Sequence, residues 1–287
     1  MNKEVNNEKA LHLDLRKIFK EKNPRLAPYI PGFIYAYLNR VLHLNEINAF
    51  LAIHGSKTGL AFTKEVIKDF NVTFSLRGEE NLPETGRFIF VSNHPLGGFD
   101  GMSLLTILGE KYHDVRSLSN DILMSMENLK PLFVPINKHG SMTHESAKLL
   151  DEAMSSDIQI LTFPSGLVSR KTKGIIRDPQ WQKSFISKAV QYKRDIIPIH
   201  VSGRCSEFFY RLSRFRKFLG IKTNIEMFFL PDETYKHKNG HFTITFGKPV
   251  SYTVFDRSKR PEAWAKSMQN YVYSLGEGNN KPYEPQY

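Results

Sequence analysis

A histidine and an aspartate, His94 and Asp100, lie in a short polar stretch that could carry acid–base chemistry. The stretch SNHPLGGFDG follows the apolar run RFIFV and precedes the apolar run MSLLTIL. Glycine and proline supply a turn between a strand and a helix, but such a turn needs neither ionisable residue. A neutral imidazole is a natural general base, and a carboxylate on one ring nitrogen fixes its tautomer and stabilises the imidazolium. The two residues are therefore either a catalytic pair or a helix cap beside a surface histidine.

The third member of a catalytic triad, a nucleophilic serine or cysteine, has no signature in this sequence. No G-x-S-x-G elbow occurs, and the single cysteine, Cys205, lies in no local nucleophile motif. If His94 is a base, the substrate itself must bring the nucleophile, for instance an alcohol hydroxyl.

Three further polar stretches follow apolar runs that are typical of buried strands. ILTF is followed by PSGLVSRKTKG, PLFVPI by Asn137 and Lys138, and DIIPIHV by SGR. Ligands of α/β sheets bind in the crevice at the carboxyl ends of the strands. Hydroxyls, backbone amides and cations collected there would suit a phosphate or a carboxylate. We therefore expect the four strand ends to share one cleft.

The elements that must position these residues are predicted by two kinds of apolar pattern. Short β-branched or aromatic runs ended by Gly, Pro or Asn predict strands, and the last two, IEMFFLP and HFTITFGKP, are expected to pair antiparallel. Between several strands, apolar residues at steps of three and four predict helices. The predicted fold class is α/β, with a mixed, mostly parallel sheet flanked by helices.

The chain divides into three predicted parts. Residues 1–70 form an N-terminal helical extension, in which GFIYAYLNRVLHL is a candidate for membrane contact. Residues 71–275 form one α/β domain, and residues 276–287 form a disordered tail.

The positive charge of the chain is concentrated in one segment. The formal net charge is +11, and between Leu161 and Lys222 there are 14 Lys and Arg residues against three acidic residues, which leaves the remainder balanced. Such a segment attracts nucleic acid, an anionic membrane surface or an acidic carrier protein, unless it is only a solvated basic surface. No nucleic-acid-binding motif accompanies it, so nucleic acid is the least favoured partner.

A basic, aromatic-rich stretch in this segment, EFFYRLSRFRKFLGIK, predicts an amphipathic helix. Such a helix suits an anionic bilayer, although its aromatic face could equally pack in the core. The predicted membrane-contact residues are Phe208, Phe209, Arg211, Arg214, Phe215, Arg216 and Lys217. The sequence has no signal peptide and no apolar run long enough to span a bilayer, and one cysteine suits a reducing compartment. The expected location is therefore cytoplasmic, peripheral on the inner face of the cell membrane.

The order of these stretches resembles that of the glycerolipid (lysophospholipid) acyltransferase superfamily, over about residues 71–250. Its motifs are N-H-x4-D, a strand followed by a polar or basic residue, F-P-E-G-T-R-S, and a strand rich in Val, Ile and Pro. Asn93, His94 and Asp100 match the first motif, with five residues instead of four before the aspartate. FPSGLVSR matches the third, with Ser165 in the glutamate position and Val168 in the arginine position, and IIPIHVSG matches the fourth. HPLGGFDG and FPSGLVSR are similar to the hemolysin-related branch, which includes ornithine- and glycine-lipid O-acyltransferases.

This resemblance implies direct acyl transfer, without an acyl-enzyme, to the hydroxyl of a lyso-lipid. His94 would deprotonate the acceptor hydroxyl, which attacks the thioester of an acyl carrier protein or coenzyme A, and Asp100 would orient His94. No metal and no cofactor beyond this cosubstrate is implied. The altered third motif favours a lyso-aminolipid acceptor. A 1-acylglycerol-3-phosphate acyltransferase and a lipid ester hydrolase remain the alternatives, and a nucleic-acid-binding protein is a remote one.

The same resemblance implies roles for the residues around the pair. Amides near Gly97, Gly98 or Gly166 would stabilise the oxyanion, and Arg170 and Lys171 would bind an anionic group of the acceptor. The predicted substrate-binding residues are Asn93, Gly97, Gly98, Asn137, Lys138, Phe163, Pro164, Ser165, Gly166, Ser169, Arg170 and Lys171.

Overall fold

The structure, a computed structural model, describes residues 12–25, 27–119, 126–136 and 144–284. The strands in these ranges are β1 (Thr73–Arg77), β2 (Phe88–Ser92), β3 (Val115–Ser119), β4 (Phe133–Pro135), β5 (Gln159–Thr162), β6 (Arg170–Thr172), β7 (Ile175–Arg177), β8 (Asp195–Val201) and β9 (His241–Phe246). The helices are α1 (Leu15–Lys22), α2 (Gly32–Val41), α3 (Leu44–His54), α4 (Gly59–Asp69), α5 (Gly98–Tyr112), α6 (His144–Ser155), α7 (Ser184–Tyr192), α8 (Glu207–Phe218), α9 (Leu230–Tyr235) and α10 (Pro261–Gly276).

The main sheet has seven strands in the order β1-β9-β8-β2-β5-β3-β4. The five strands β8, β2, β5, β3 and β4 run parallel, β9 pairs antiparallel with β8, and β1 runs parallel to β9. The predicted α/β fold with a mixed, mostly parallel sheet is therefore confirmed. The carboxyl ends of the five parallel strands lie at one edge, where the polar stretches begin.

One predicted strand is wrong. The run IEMFFLP is not paired with β9; it forms a 3-10 turn over Ile225–Phe229 followed by α9, and the antiparallel pair is β8 with β9. The reason lies in Glu226, which is fully buried and held by two arginines, and in Pro231, which suits the first turn of a helix.

The sequence patterns missed β3 and the β6–β7 hairpin. The buried face of β3 carries Ser117 and Ser119 beside Val115, so small polar residues conceal its apolar alternation. The hairpin turns at Lys173 and Gly174, both with positive φ (50° and 83°), a conformation that suits a tight two-residue β-turn.

Both faces of the sheet are buried, and the sequences of its central strands are therefore continuous apolar runs. Successive residues of a strand point to opposite faces. Phe90 of β2 packs in a core with α3, α4 and α5, whereas Ile89 and Val91 pack in a second core with α6, α7 and α10. This two-sided packing fixes β2, and with it the start of the stretch that contains His94.

The described helices before residue 70 are part of this core. Leu51 of α3 and Phe62 and Val66 of α4 pack in the same apolar cluster as Phe90. The predicted extension at residues 1–70 is therefore helical in its described part, but α3 and α4 form one face of the domain itself.

The chain after α10 differs from the predicted disordered tail at residues 276–287. Tyr283 packs against Tyr271 and donates a hydrogen bond to Ser267, and Tyr271 bonds the carbonyl of Lys281. An aromatic side chain therefore anchors this segment as far as Glu284, although its composition is that of a loop. In the described part of the chain, the helices are too short or too polar to cross a bilayer.

Candidate active site

A sharp corner between β2 and α5 carries His94 and Asp100. Gly97 adopts φ 73° and ψ −136°, and a Cβ there would lie 3.1 Å from Leu230 Cδ2, so both the backbone conformation and the packing favour glycine. The corner brings the chain back so that Asp100, in the first turn of α5, lies within hydrogen-bonding distance of the His94 ring.

The two side chains are in direct contact. Asp100 Oδ2 lies 2.9 Å from His94 Nδ1 and also accepts a 2.9 Å hydrogen bond from the backbone N–H of Leu96. The carboxylate is fully buried, whereas the His94 side chain is 18% exposed. Because Nδ1 donates to the carboxylate, Nε2 carries the free lone pair, and this is the arrangement of a general base with its orienting acid.

Burial and hydrogen bonding act in opposite directions on the carboxyl group of Asp100. Burial raises the pKa of the Asp100 carboxyl, while the hydrogen bond from His94 opposes this shift. A buried carboxylate that depends on one hydrogen-bond donor from the ring gains when that ring becomes cationic. Phe163, at the end of β5, stacks on His94 with ring centroids 4.3 Å apart and fixes the plane of the imidazole.

No serine or cysteine acts as a nucleophile partner of this ring in the described residues. Its side-chain hydrogen bond goes to Asp100. The thiol of Cys205 is buried, donates to the carbonyl of Pro95 over 3.4 Å, and has a pKa raised by burial, so it is not a thiolate. In the described residues, the pair therefore has the geometry of a base and its orienting acid without a nucleophile of its own.

The third stretch, FPSGLVSR, lies directly against His94. The backbone N–H of Ser169 donates to the carbonyl of His94 over 2.8 Å. Ser165 donates to the carbonyl of Leu167, and Gly166 donates its N–H to the carbonyl of Phe163, so this serine hydroxyl and this amide are already engaged. The two stretches do share one edge, but Gly166 does not have a free amide for an oxyanion.

The start of α5 offers a better oxyanion donor. Gly98 is the first residue of the helix and is exposed, with open space where its Cβ would lie. An N–H at this position has no partner within the helix, and the helix dipole adds positive potential.

Asn93 is not available to a substrate. Its amide donates to the carbonyl of Val201 over 2.8 Å and accepts the N–H of Val201 over 2.7 Å. This double hydrogen bond ties the end of β2 to the end of β8. The prediction that Asn93 binds substrate is therefore corrected to a structural role. Asn137 and Lys138, also predicted to bind substrate, lie outside the described residues.

Arg170 is also a structural residue. It is buried and forms a 2.8 Å ion pair with Glu226, which a second arginine, Arg216 of α8, contacts from the other side. The carboxylate thus holds the hairpin and α8 together, and Arg170 does not reach an acceptor. Lys171 differs, because its 2.6 Å ion pair with Glu207 is partly exposed.

The exposed face of helix α8 carries both aromatic and basic side chains. Phe208, Phe215 and Phe218 are 50%, 59% and 85% exposed, and Arg211, Arg214 and Lys217 are exposed among them. Phe209 and Arg216 are buried, so these two are wrong as membrane-contact predictions. Phe209 packs in the core, and Arg216 is drawn inward by Glu226. We call the outward set of three phenylalanines and three cations the aromatic–basic face.

One residue of the site was missed by the sequence patterns. Asp178 accepts the backbone N–H of His94 over 3.1 Å, although 84 residues separate them. The available signal was its charge, since it is one of three acidic residues in the most basic segment of the chain.

The chain is similar to known proteins over most of its length. The family model described as "Acyltransferase" matches residues 17–270. A lyso-glycine lipid O-acyltransferase of Bacteroides thetaiotaomicron is 44% identical over 264 residues, 92% of this chain and 97% of that protein. One of Phocaeicola vulgatus is 43% identical over 92% of this chain and 95% of that protein. The crystal structure of the 1-acyl-sn-glycerophosphate acyltransferase of Thermotoga maritima gives a TM-score of 0.49 at 15% identity, covering 93% of this chain and 100% of that one.

Proposed function

Because the chain belongs to the acyltransferase family, we propose that it moves a fatty acyl group from an acyl thioester to the hydroxyl of a lyso-aminolipid with a glycine head group. The names of two relatives, at 44% and 43% identity over nearly their full lengths, support the acceptor. The observation that carries the reaction type is the His94–Asp100 pair, a base and its orienting acid without a nucleophile of its own.

The proposed reaction is a direct transfer. Nε2 of His94 takes the proton of the acceptor hydroxyl as its oxygen attacks the thioester carbonyl. The N–H of Gly98 donates to the developing oxyanion. When the C–S bond breaks, the imidazolium returns its proton to the departing thiolate, and Asp100 stabilises the cation in between. The donor is a thioester of an acyl carrier protein or of coenzyme A, and the proposed chemistry needs no metal or other cofactor.

Lipid analysis tests this function in cells. Mass spectrometry of lipid extracts from cells with and without the gene should show the O-acylated glycine lipid only in the first, with the lyso form accumulating in the second. An unchanged ratio of the two lipids would contradict the proposal.

The anionic group of the acceptor is proposed to bind Lys171. A glycine linked through its nitrogen carries a free carboxylate, and Lys171 can exchange partners because a partly exposed ion pair is worth only about 0–1 kcal/mol. Lys171→Met should raise the KM for the acceptor about tenfold, since a hydrogen bond to a charged group contributes about 1.5–3 kcal/mol, and should leave kcat nearly unchanged. Steady-state kinetics with varied acceptor measures this.

Two further variants separate binding from folding. Lys183→Met removes a comparable ion pair, that with Glu262 at 2.7 Å, and should keep the KM of the wild type. Arg170→Met should instead lower the thermal unfolding temperature, because it removes one cation from the buried Glu226. An unchanged acceptor KM in Lys171→Met would remove this residue from the head-group site.

We further propose that the aromatic–basic face of α8 binds the anionic surface of the membrane that holds the lipid acceptor. Apolar burial and charge attraction add on such a helix. Each cation near an anionic surface contributes about 1 kcal/mol. Converting Arg211, Arg214 and Lys217 to Gln should therefore reduce partitioning onto phosphatidylglycerol-containing vesicles by about 10²-fold in a sedimentation assay.

The matched control changes the same number of charges elsewhere. Converting the exposed Lys148, Lys183 and Lys193 to Gln should leave vesicle partitioning close to that of the wild type. If both triple variants partition equally, net charge and not the aromatic–basic face determines membrane binding.

A further inference from the structure

A buried carboxylate outside the two motifs contacts the stretch that carries His94. Asp178 follows directly after β7, at the base of the hairpin, and is 7% exposed. Its Oδ1 atom accepts the N–H of His94 over 3.1 Å and the hydroxyl of Ser169 over 2.5 Å, and its Oδ2 atom accepts the indole N–H of Trp181 over 3.0 Å. Both lone-pair regions of the carboxylate are therefore engaged by donors.

These contacts hold the backbone of His94 on both sides. Its N–H donates to Asp178, and its carbonyl accepts the N–H of Ser169, whose hydroxyl donates to the same carboxylate oxygen. The result is a closed unit of three residues that joins the end of β2 to the third stretch. With the backbone fixed there and Nδ1 fixed by Asp100, the direction of Nε2 is determined.

Helix α10 holds Asp178 itself. The hydroxyl of Tyr273 accepts the N–H of Asp178 over 2.7 Å, and the side-chain amide of Gln269 donates to its carbonyl over 3.3 Å. These two residues are four apart, on one face of α10. Arg177 lies over the Tyr273 ring at 4.4 Å, which fixes that ring in turn. The closed unit of three residues is thus anchored to α10, which packs in the second core of the domain.

The charge of Asp178 also acts on the pair. Burial is the main cause that raises the pKa of Asp100, and the nearby negative charge of Asp178 adds to it. A neutral replacement at position 178 keeps some hydrogen bonds but loses this contribution.

We propose that Asp178 is a positioning residue of the acyltransferase reaction, which fixes the backbone of His94 and Ser169 so that Nε2 faces the acceptor hydroxyl. This role rests on the proposed function of His94 as general base. The carboxylate of Asp178 is buried and its hydrogen bonds go to His94, Ser169 and Trp181, so its removal should change kcat and not KM.

The first test is Asp178→Asn. A carboxamide oxygen can still accept from His94 and Ser169, but its NH2 group then faces the N–H of Trp181, and two donors oppose each other. The strained amide should displace the unit and lower kcat by about 10²-fold, as expected for small misplacements of a reacting group, with both KM values within about threefold. Asp195→Asn is the matched control. Asp195 accepts the N–H of Tyr252 over 3.0 Å at the opposite edge of the sheet, and its variant should keep the wild-type kcat.

A second variant guards against a purely structural effect. Adding Trp181→Phe removes the opposing donor, so the double variant Asp178→Asn/Trp181→Phe should regain about tenfold in kcat over Asp178→Asn alone. A folded Asp178→Asn protein with wild-type kcat would overturn the proposal, as would a fall in kcat/KM caused by KM. If Asp178→Asn does not fold, Tyr273→Phe, which removes the acceptor of the Asp178 N–H, should lower kcat at constant KM, and an unchanged kcat would overturn the proposal.

Failure of the proposed function is visible separately, because the wild type would then transfer no acyl group to any lyso-lipid. In that case the NMR signal of the hydrogen-bonded Nδ1 proton of His94 decides. It should shift or disappear in Asp178→Asn and persist in Asp195→Asn. Identical spectra of the two variants would show that Asp178 does not position the ring.

Discussion

His94→Ala is expected to reduce acyl transfer by at least about 10³-fold, because general-base catalysis contributes roughly 10²- to 10⁴-fold and the described site offers no second base in contact with Asp100. The protein should remain folded. The ring contacts Asp100 and Phe163 and is partly exposed, and Asp100 keeps its hydrogen bond from the N–H of Leu96. Release of free thiol from an acyl thioester in the presence of acceptor measures the rate.

Two controls sharpen this prediction. His94→Gln keeps a donor for Asp100 but has no basic lone pair, so it should be as inactive as His94→Ala. His54→Ala removes a histidine of α3 that also lies beside a carboxylate, that of Glu65 in α4 at 3.7 Å. This variant should keep full activity. Residual turnover above a few per cent in His94→Ala would exclude the general-base role.

Asp100→Asn is expected to lower kcat by about 10²- to 10⁴-fold, with little change in acceptor KM. Asp100 Oδ2 accepts from His94 Nδ1 and from the N–H of Leu96. Because both donors meet on this one oxygen, an asparagine keeps both hydrogen bonds only with its carbonyl oxygen there. In the opposite orientation its NH2 group opposes the N–H of Leu96 and forces Nδ1 to accept, so that Nε2 carries the proton and is no longer a base. The imidazolium also loses its counter-charge in a fully buried position.

A measurement of stability separates this effect from misfolding. The melting temperature of Asp100→Asn should stay close to that of the wild type, because a neutral amide is easier to bury than a carboxylate whose pKa is raised by burial. A kcat equal to that of the wild type would remove Asp100 from the site.

Local patterns predicted the elements around the site because they depend on short stretches of chain. The strand FIFVS before His94 is buried on both faces, and the glycines after it form the corner at Gly97. Five residues separate His94 from Asp100, and the turn at Gly97 lies among them. This arrangement is also local, and it places His94 Nδ1 2.9 Å from Asp100 Oδ2.

Contacts between residues far apart in the chain explain the features that local sequence patterns did not predict. Arg170 and Arg216 read as surface cations, but Glu226, 56 and 10 residues away, draws both into the interior. Asp178 is far from His94 in the chain, and only the closure of the hairpin against β2 brings its carboxylate to the backbone there. The composition of the tail predicts disorder, whereas Tyr283 packs against Tyr271 of α10.

The central claim, that the His94–Asp100 pair activates an acceptor hydroxyl and not water, is tested most directly by thioester consumption. Purified protein should release thiol from an acyl thioester rapidly with lyso-glycine lipid present and form the O-acylated lipid in equal amount. Without the acceptor, or with an acceptor that lacks the hydroxyl, release should fall to the uncatalysed rate. Equal thiol release with and without the acceptor, yielding free fatty acid, would show a hydrolase and contradict this account.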